Sequence, residues 1–346
     1  MKQRFRNKRG QTAVLFTLVI ASLLGAMALC SDVGVLYYTS IQLQKAADAA
    51  ALAGAGFFGP NTPQTPTCSW NSQSSGAQDA ACDYVLSNGI AKGYITSINS
   101  PAVGVTTVPS GAQSVQVQLK RTDIPVFFGK VIGLTSLTAI GNATAIGPMP
   151  IQTLTQGLFP VGVQYPATMT YNTPYTLSEK SSGQFGPGNW GWLNLPQCSP
   201  VGSDPPSSYH AGGVPNLTTN VTYGSTCRYS VGDTITPETG AQGNSNPPAA
   251  AIVTRIRSGG APPTDQNQIS VSDGQLVVVP LVDWNSNNGK STTVEVKGFA
   301  AFWLTSLSGQ GASITLTGEF VKLVDNYGIG GTGTDWGSYS APILVQ

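Results

Sequence analysis

RGQTAVLFTLVIASLLGAMALCSDVGVLYYTSIQLQKAADAAALAGA, residues 9–55, decides how the rest of the chain is read. Its first half, 10–31, carries no charge, and Lys2, Arg4, Arg6, Lys8 and Arg9 precede it. A bilayer core takes about 20 apolar residues of helix. Residues 12–31 supply that length in Leu, Val, Ile and Ala. Cations with no acid among them predict a cytoplasmic N-terminus by the positive-inside bias, with the bulk of the chain on the other side. Asp32 then stands at the outer boundary, where a carboxylate reaches water. At mid-bilayer it would cost roughly 3 kcal/mol.

A cleaved secretory signal is the competing reading, since Ala26-Met27-Ala28 resembles a cleavage site. The apolar run is longer than a usual signal core, no helix breaker precedes the cut, and the helical pattern continues past it. Those features favour a retained anchor. A lipoprotein anchor at Cys30 is disfavoured by Leu29, which stands where a small residue is expected. A helix over 12–55 would be about 65 Å long at about 1.5 Å per residue, half of it beyond the bilayer as a stem. The emerging half carries a stripe at Leu36, Leu43, Ala47, Ala50 and Gly54 within a face of small side chains. Such a face allows close backbone approach, to a sheet of the same chain or to another helix. Packing against its own domain is the favoured use.

Only 10% of the 346 residues are charged, far below the usual quarter, and Gly, Pro, Ser, Thr, Asn and Gln take their place. That is an exported, loop-rich β composition. Taking the five N-terminal cations from the 17 Lys and Arg leaves 12 against 16 acids, a net of −4. No basic patch suited to nucleic acid remains. Cys30 falls in the apolar run as a lone thiol. Cys68 with Cys82, and Cys198 with Cys227, are candidate disulfides, each removing about 3 kcal/mol of unfolded-chain entropy. Their spacings match no zinc pattern, and the single His210 offers no partner ligand. No metal or cofactor is expected.

The fold class read from these patterns is α+β. A basic tail (1–10) and a transmembrane helix (11–31) lead into a stem helix and small pilin-like α+β domain (32–147). A mostly β, loop-rich domain (148–346) follows. Within the first domain, 76–87 reads as a second helix closed by Asn88-Gly89. Strands are expected at 103–108, 114–119, 124–132 and 135–146. Gly147-Pro148-Met149-Pro150 is the boundary. Beyond it, strands are expected at 158–164, 168–177, 275–281, 292–304 and 313–323, a hairpin loop at 283–290, and a single helix at 249–258.

The stretch above closely resembles the TadG-like proteins of the Tad (Flp) pilus machinery. Arg9-Gly10-Gln11, Asp32-Val33-Gly34 and LQKAADAAALA (43–53) carry the likeness. Fainter echoes lie at Asn88-Gly89, Pro125-Val126-Phe127-Phe128-Gly129, YSVGDTITPETG (229–240), VVVPLVDW (277–284) and VKGFAAFWLTS (296–306). The resemblance implies an inner-membrane, single-pass assembly protein with a periplasmic bulk. It would act through contacts with other pilus-assembly proteins or pseudopilins; the small-residue face of the stem leaves a homo-oligomer as a further option. Two departures refine this. Leu15 occupies the offset after Gly10 where related pseudopilins carry a Glu, which favours the uncleaved type. No D-x-S-x-S metal motif of a von Willebrand factor A domain is present, so metal-dependent adhesion is not carried over.

Catalysis is not expected. Gly-x-Ser-x-Gly, a phosphate-binding loop and a zinc-binding His pair are all missing from the sequence. The runs at 186–188 and 330–333 read as turns. Trp190, Trp192, Trp284, Trp303 and Trp336 could build a sugar platform, although packing is the commoner use. A membrane-tethered glycan-binding adhesin is therefore the second reading, and a tethered hydrolase using His210 the third.

Overall fold

The computed structural model describes residues 9–60, 65–165, 169–178, 191–206, 213–238, 246–257, 263, 269, 273–284, 293–309 and 314–345. The basic residues up to Lys8, the loop at 285–290, the turn at 186–188, Trp190 and His210 lie outside them.

Helix α1 (Arg9–Gly56) runs unbroken for 48 residues, about 70 Å at about 1.5 Å per residue. Its large apolar side chains from Val14 to Leu29 are exposed, whereas Leu43, Ala46, Ala47, Ala50, Ala51 and Ala55 are fully buried. Helix α2 (Gly76–Ser87) packs beside it. Its first turn is closed by a capping box. The Gln78 amide donates to Ser75 Oγ at 3.4 Å, and the Ser75 amide to Gln78 Oε1 at 2.9 Å. At its other end the Ile90 amide donates to the Val85 carbonyl and the Gly89 amide to that of Leu86. Gly89 takes φ +77° to allow this.

The first sheet adds β1 (Ile95–Asn99), β2 (Ser114–Pro125) and β3 (Ser136–Ile146), all antiparallel. The second unit contains β4 (Ile151–Leu154), β5 (Val163–Gln164), β6 (Pro174–Ser178), α3 (Val214–Tyr223), β7 (Tyr229–Ser230), β8 (Thr234–Ile235), α4 (Pro247–Arg257), β9 (Leu276–Val282), β10 (Val294–Ser308), β11 (Thr315–Val321), β12 (Leu323–Asp325), β13 (Gly328–Gly330) and β14 (Ser338–Ser340), and β15 (Ile343–Val345) follows it at the chain end. Its main sheet runs β5-β9-β10-β11-β6, with β8 also on β10. Every residue of β9 is buried, as are Gly298 to Leu304 of β10. These all-apolar runs mark a central strand pair covered on both faces. Helices α3 and α4 pack on each other, and α4 packs on β10.

Several expectations need correction. Residues 103–108 are turns, with Gly104 at φ +72° and Val103 exposed. The edge strand is β1 instead. Its register shifts between Ile95 and Ser97, so that Ile95 and Ile98, three apart, both reach the core. That bulge breaks the two-residue alternation a sequence reading looks for. Residues 124–132 are the end of β2 followed by a 3-10 turn at Gly129–Ile132, because Pro125 cannot donate to a further ladder bond. Within 158–164 only Val163–Gln164 is strand, and β6 begins at Pro174.

Helix α3 was not expected, since VPNLTTNVTY is rich in β-branched residues and Asn, which are poor helix formers. Tertiary bonds compensate: buried Asn220 donates through Nδ2 to the Leu195 carbonyl at 2.7 Å. The chain end also departs from the division at 147/148. β15 pairs with β3 through Ile343 and Ile146, so residues 343–345 complete the first sheet, in the order β1-β2-β3-β15.

Candidate functional site

The emerging half of α1 is not a free stem. The first sheet lies along it from the point where the uncharged run ends. Gln44 Nε2 donates to the Asn142 carbonyl at 2.9 Å, and the Asn142 amide donates back to Gln44 Oε1 at 3.2 Å. Gly141 sits under Leu43, and a Cβ placed on it would lie 2.6 Å from the Leu43 carbonyl. Further along, Gly54 faces the Ala77 carbonyl and Val115, where a Cβ would meet atoms at 2.8 and 3.0 Å. Small residues on both sides bring helix and sheet into backbone contact. In this way Leu43, Ala47, Ala50 and Gly54 of the expected stripe are buried within their own domain, with Leu36 half-buried at its margin. This is the favoured use of the face, packing against its own domain, and it leaves the alternative, contact with another helix, without that surface.

At the membrane-proximal end, Asp32 is the first charged residue after the uncharged run. It is buried, and its carboxylate takes three backbone donors from one loop: Phe127 at 2.8 Å, Phe128 at 3.1 Å and Gly129 at 2.7 Å. The Phe127 amide does most to hold the carboxyl below its ordinary range, desolvation opposes it, and the Gly129 and Phe128 amides add to the lowering. The sequence reading placed Asp32 in water and treated Pro125-Val126-Phe127-Phe128-Gly129 as a separate echo. The structure joins the two as a clamp. The signal available was their co-occurrence: one carboxylate at a helix exit and one Gly-containing turn with free amides.

Cys68 and Cys82 are bonded, with Cα atoms 5.8 Å apart, as are Cys198 and Cys227 at 4.9 Å. The first bridge ties the loop after α1 to α2. Asp83 reinforces it, accepting from the Thr67 and Cys68 amides at 2.7 Å and from Thr67 Oγ1 at 2.8 Å. Cys30 is a free, exposed thiol in the apolar run.

Of the described tryptophans, Trp192, Trp284 and Trp303 are buried, and Trp70 and Trp336 pack against the two cores. Trp336 stands edge-on to Tyr165 at 5.7 Å and fills the space a side chain on Gly298 would need. These residues form no exposed platform. Among the described residues no group of three or more His, Cys, Asp or Glu could hold a metal ion. An open cleft of about 640 Å3 lies between the two units, lined in part by Phe58, Pro148, Lys322, Gly331, Asp335 and Tyr339. Its Tyr339 hydroxyl donates to Asp335 at 2.6 Å.

A helix long and apolar enough to cross a bilayer, continued as the spine of an α+β head, defines a helix-stalked class of protein. The particular relationship is narrower. Residues 10–56 match the family model described as "Putative Flp pilus-assembly TadE/G-like", so this segment is similar to the Tad domains of that family. The match covers α1 and stops short of every strand. No curated protein and no solved structure matches the chain.

Proposed function

We propose that the protein is a single-pass anchored assembly component of a Flp/Tad-type pilus or secretion apparatus, working through protein–protein contact and without catalysis of its own. The match of α1 to the Tad family model is the observation that carries this reading. Three further features support it. Among the described residues nothing covers the apolar run, Asp32 fixes the head at the end of that run, and both disulfides suit an oxidising envelope space. The N-terminus is assigned to the cytoplasm from its cations, and the head to the periplasmic side of the inner membrane.

With the Ala face of α1 occupied, the sheet edges are the surfaces best suited to partners. The short edge strand β15, with Ile343 and Leu344 exposed, is a free template for strand addition by a pseudopilin or another assembly protein. The test is deletion of the gene followed by electron microscopy of surface pili and an adhesion assay. Loss of both, restored by the parent chain, is expected. Normal pili and normal adhesion in the deletion strain would overturn the reading.

A further inference from the structure

We propose that the loop joining β2 to β3, residues 126–135, is a second membrane contact, bedded in the interface of the leaflet that α1 leaves. The inference rests on the reading of 12–31 as a bilayer-spanning anchor and adds to it a docking of the head on the lipid surface.

Three amides of this loop bind the carboxylate of Asp32, one residue beyond the end of the uncharged run. One residue of helix rises about 1.5 Å, so the loop stands level with the point where α1 leaves the hydrocarbon. Strand β3 then follows α1 away from the membrane, passing Leu43 at Gly141 and reaching Ala55 at Gly147. The loop is therefore the part of the head nearest the bilayer.

Phe127, Phe128 and Leu134 are exposed, at 61%, 51% and 44%. Val115, Val117, Leu119 and Ile124 of β2 pack inward, while Ile140 of β3 and Ile343 and Leu344 of β15 are exposed farther from the turn. Phe127, Phe128 and Leu134 gather on the turn whose backbone is tied to the helix exit. Gly129 leaves no room there for a side chain, since a Cβ would meet Val126 at 2.6 Å. Lys130, also exposed, adds a cation suited to anionic headgroups. On α1, Tyr37 and Tyr38 are exposed just beyond Asp32. Aromatic rings at this level are how proteins sit at the membrane–water boundary. An apolar patch continuous with the lipid-facing helix has lipid as its occupant.

The test uses the full chain in a Cys30→Ser background, reconstituted into vesicles of phosphatidylethanolamine and phosphatidylglycerol. Single labels are placed through Thr135→Cys at the end of the loop, Leu24→Cys in the apolar run, and Val201→Cys in the distal unit. Lipids carrying a nitroxide near the top of the acyl chain act as quencher. An interfacial segment sits about 5–10 Å into the headgroup–acyl boundary, so about half or more of the signal at 135 should be lost. The label at 24 should be quenched and that at 201 unaffected. Phe127→Ser with Phe128→Ser should relieve quenching at 135 and leave 24 unchanged. Lys130→Glu, which alters no apolar contact, should relieve it in these vesicles and not in phosphatidylcholine alone. Quenching at 24 without quenching at 135 overturns the inference, keeps the anchor, and leaves the patch for a protein partner. Quenching at neither overturns the anchor reading, and the loop contact with it.

Discussion

Gly141 of β3 lies directly beneath Leu43 of α1, so that a Cβ added to the glycine would stand 2.6 Å from the Leu43 carbonyl carbon and oxygen. Neither backbone can yield without parting helix from sheet. Gly141→Ala should therefore destabilise the first unit by about 1–3 kcal/mol, the usual cost of forcing atoms into a filled core. Gly25→Ala, with nothing within 4 Å, should leave it unchanged. Denaturant titration of the chain in detergent, followed by circular dichroism, measures both. Equal midpoints for Gly141→Ala and the parent would mean the helix does not rest on β3 here.

The clamp at Asp32 should be visible to a protease. Asp32→Ala leaves the amides of Phe127, Phe128 and Gly129 without their acceptor, and Asp32→Asn offers one neutral oxygen in place of two charged ones. Chymotrypsin should then cut after Phe127 or Phe128 several-fold faster in Asp32→Ala than in the parent, with Asp32→Asn between them. Mass spectrometry of timed digests identifies the cut. Indistinguishable rates would show that the loop is held by something other than the carboxylate.

Asp83 gives the loop after α1 a pH dependence. Burial pushes its carboxyl up, but the Thr67 hydroxyl and the Thr67 and Cys68 amides outweigh it and hold the group below its ordinary range. A depressed carboxyl contributes stability that is present above the unfolded value, about 3.9, and is lost as pH falls through the folded value. The protection of the Thr67 and Cys68 amides against exchange, taken relative to the intrinsic rate at each pH, should fall over that acid window. Asp83→Asn should exchange faster at neutral pH and lose most of the acid step. An unchanged acid step in the variant would assign it to another group.

What could be read from the sequence followed from features that are local. The length of α1, the Asn88-Gly89 cap and the runs VVVPLV and GFAAFWL each declare themselves in consecutive residues, and each became the expected element. What escaped depends on atoms far apart in the chain. The bulge in β1 exists because Ile95 and Ile98 share one core with α1 and α2. Helix α3 forms against its propensities because Asn220 is bonded to Leu195. The meeting of Asp32 with Gly129, 97 positions away, could not be read from either motif alone. β15 belongs to a sheet whose other strands end some 200 residues earlier, at Ile146.

The second bridge should matter to the distal unit alone. Cys198 and Cys227 close a loop with a sequence separation of 29. Replacing both, by Cys198→Ser with Cys227→Ser, should cost about 3–4 kcal/mol if the bridge acts on unfolded-chain entropy. Near-ultraviolet circular dichroism of the buried Trp192, Trp284 and Trp303 would report the loss. Protease resistance of the α1–α2 region should be retained. Parallel loss of both units would show that they fold as one cooperative body.

Asp325 poses the opposite case to Asp83. It is buried in β12, where its Oδ1 accepts from the Tyr327 amide at 2.8 Å. Desolvation pushes its carboxyl up, and the single amide bond only partly counters this. The folded chain therefore holds the proton to a higher pH than the unfolded chain does. Above the folded value the charge is buried in one state and hydrated in the other, so folding carries a penalty at neutral pH. That penalty fades as pH falls through the folded value toward the unfolded one, about 3.9. Asparagine keeps an acceptor for Tyr327 and carries no charge, so Asp325→Asn should melt at an equal or higher temperature than the parent at neutral pH. The advantage should shrink in acid. Melting curves of the two proteins across that range decide the matter: a variant that is weaker at neutral pH than in acid would mean that the carboxylate is held by a cation, and that its charge stabilises the fold.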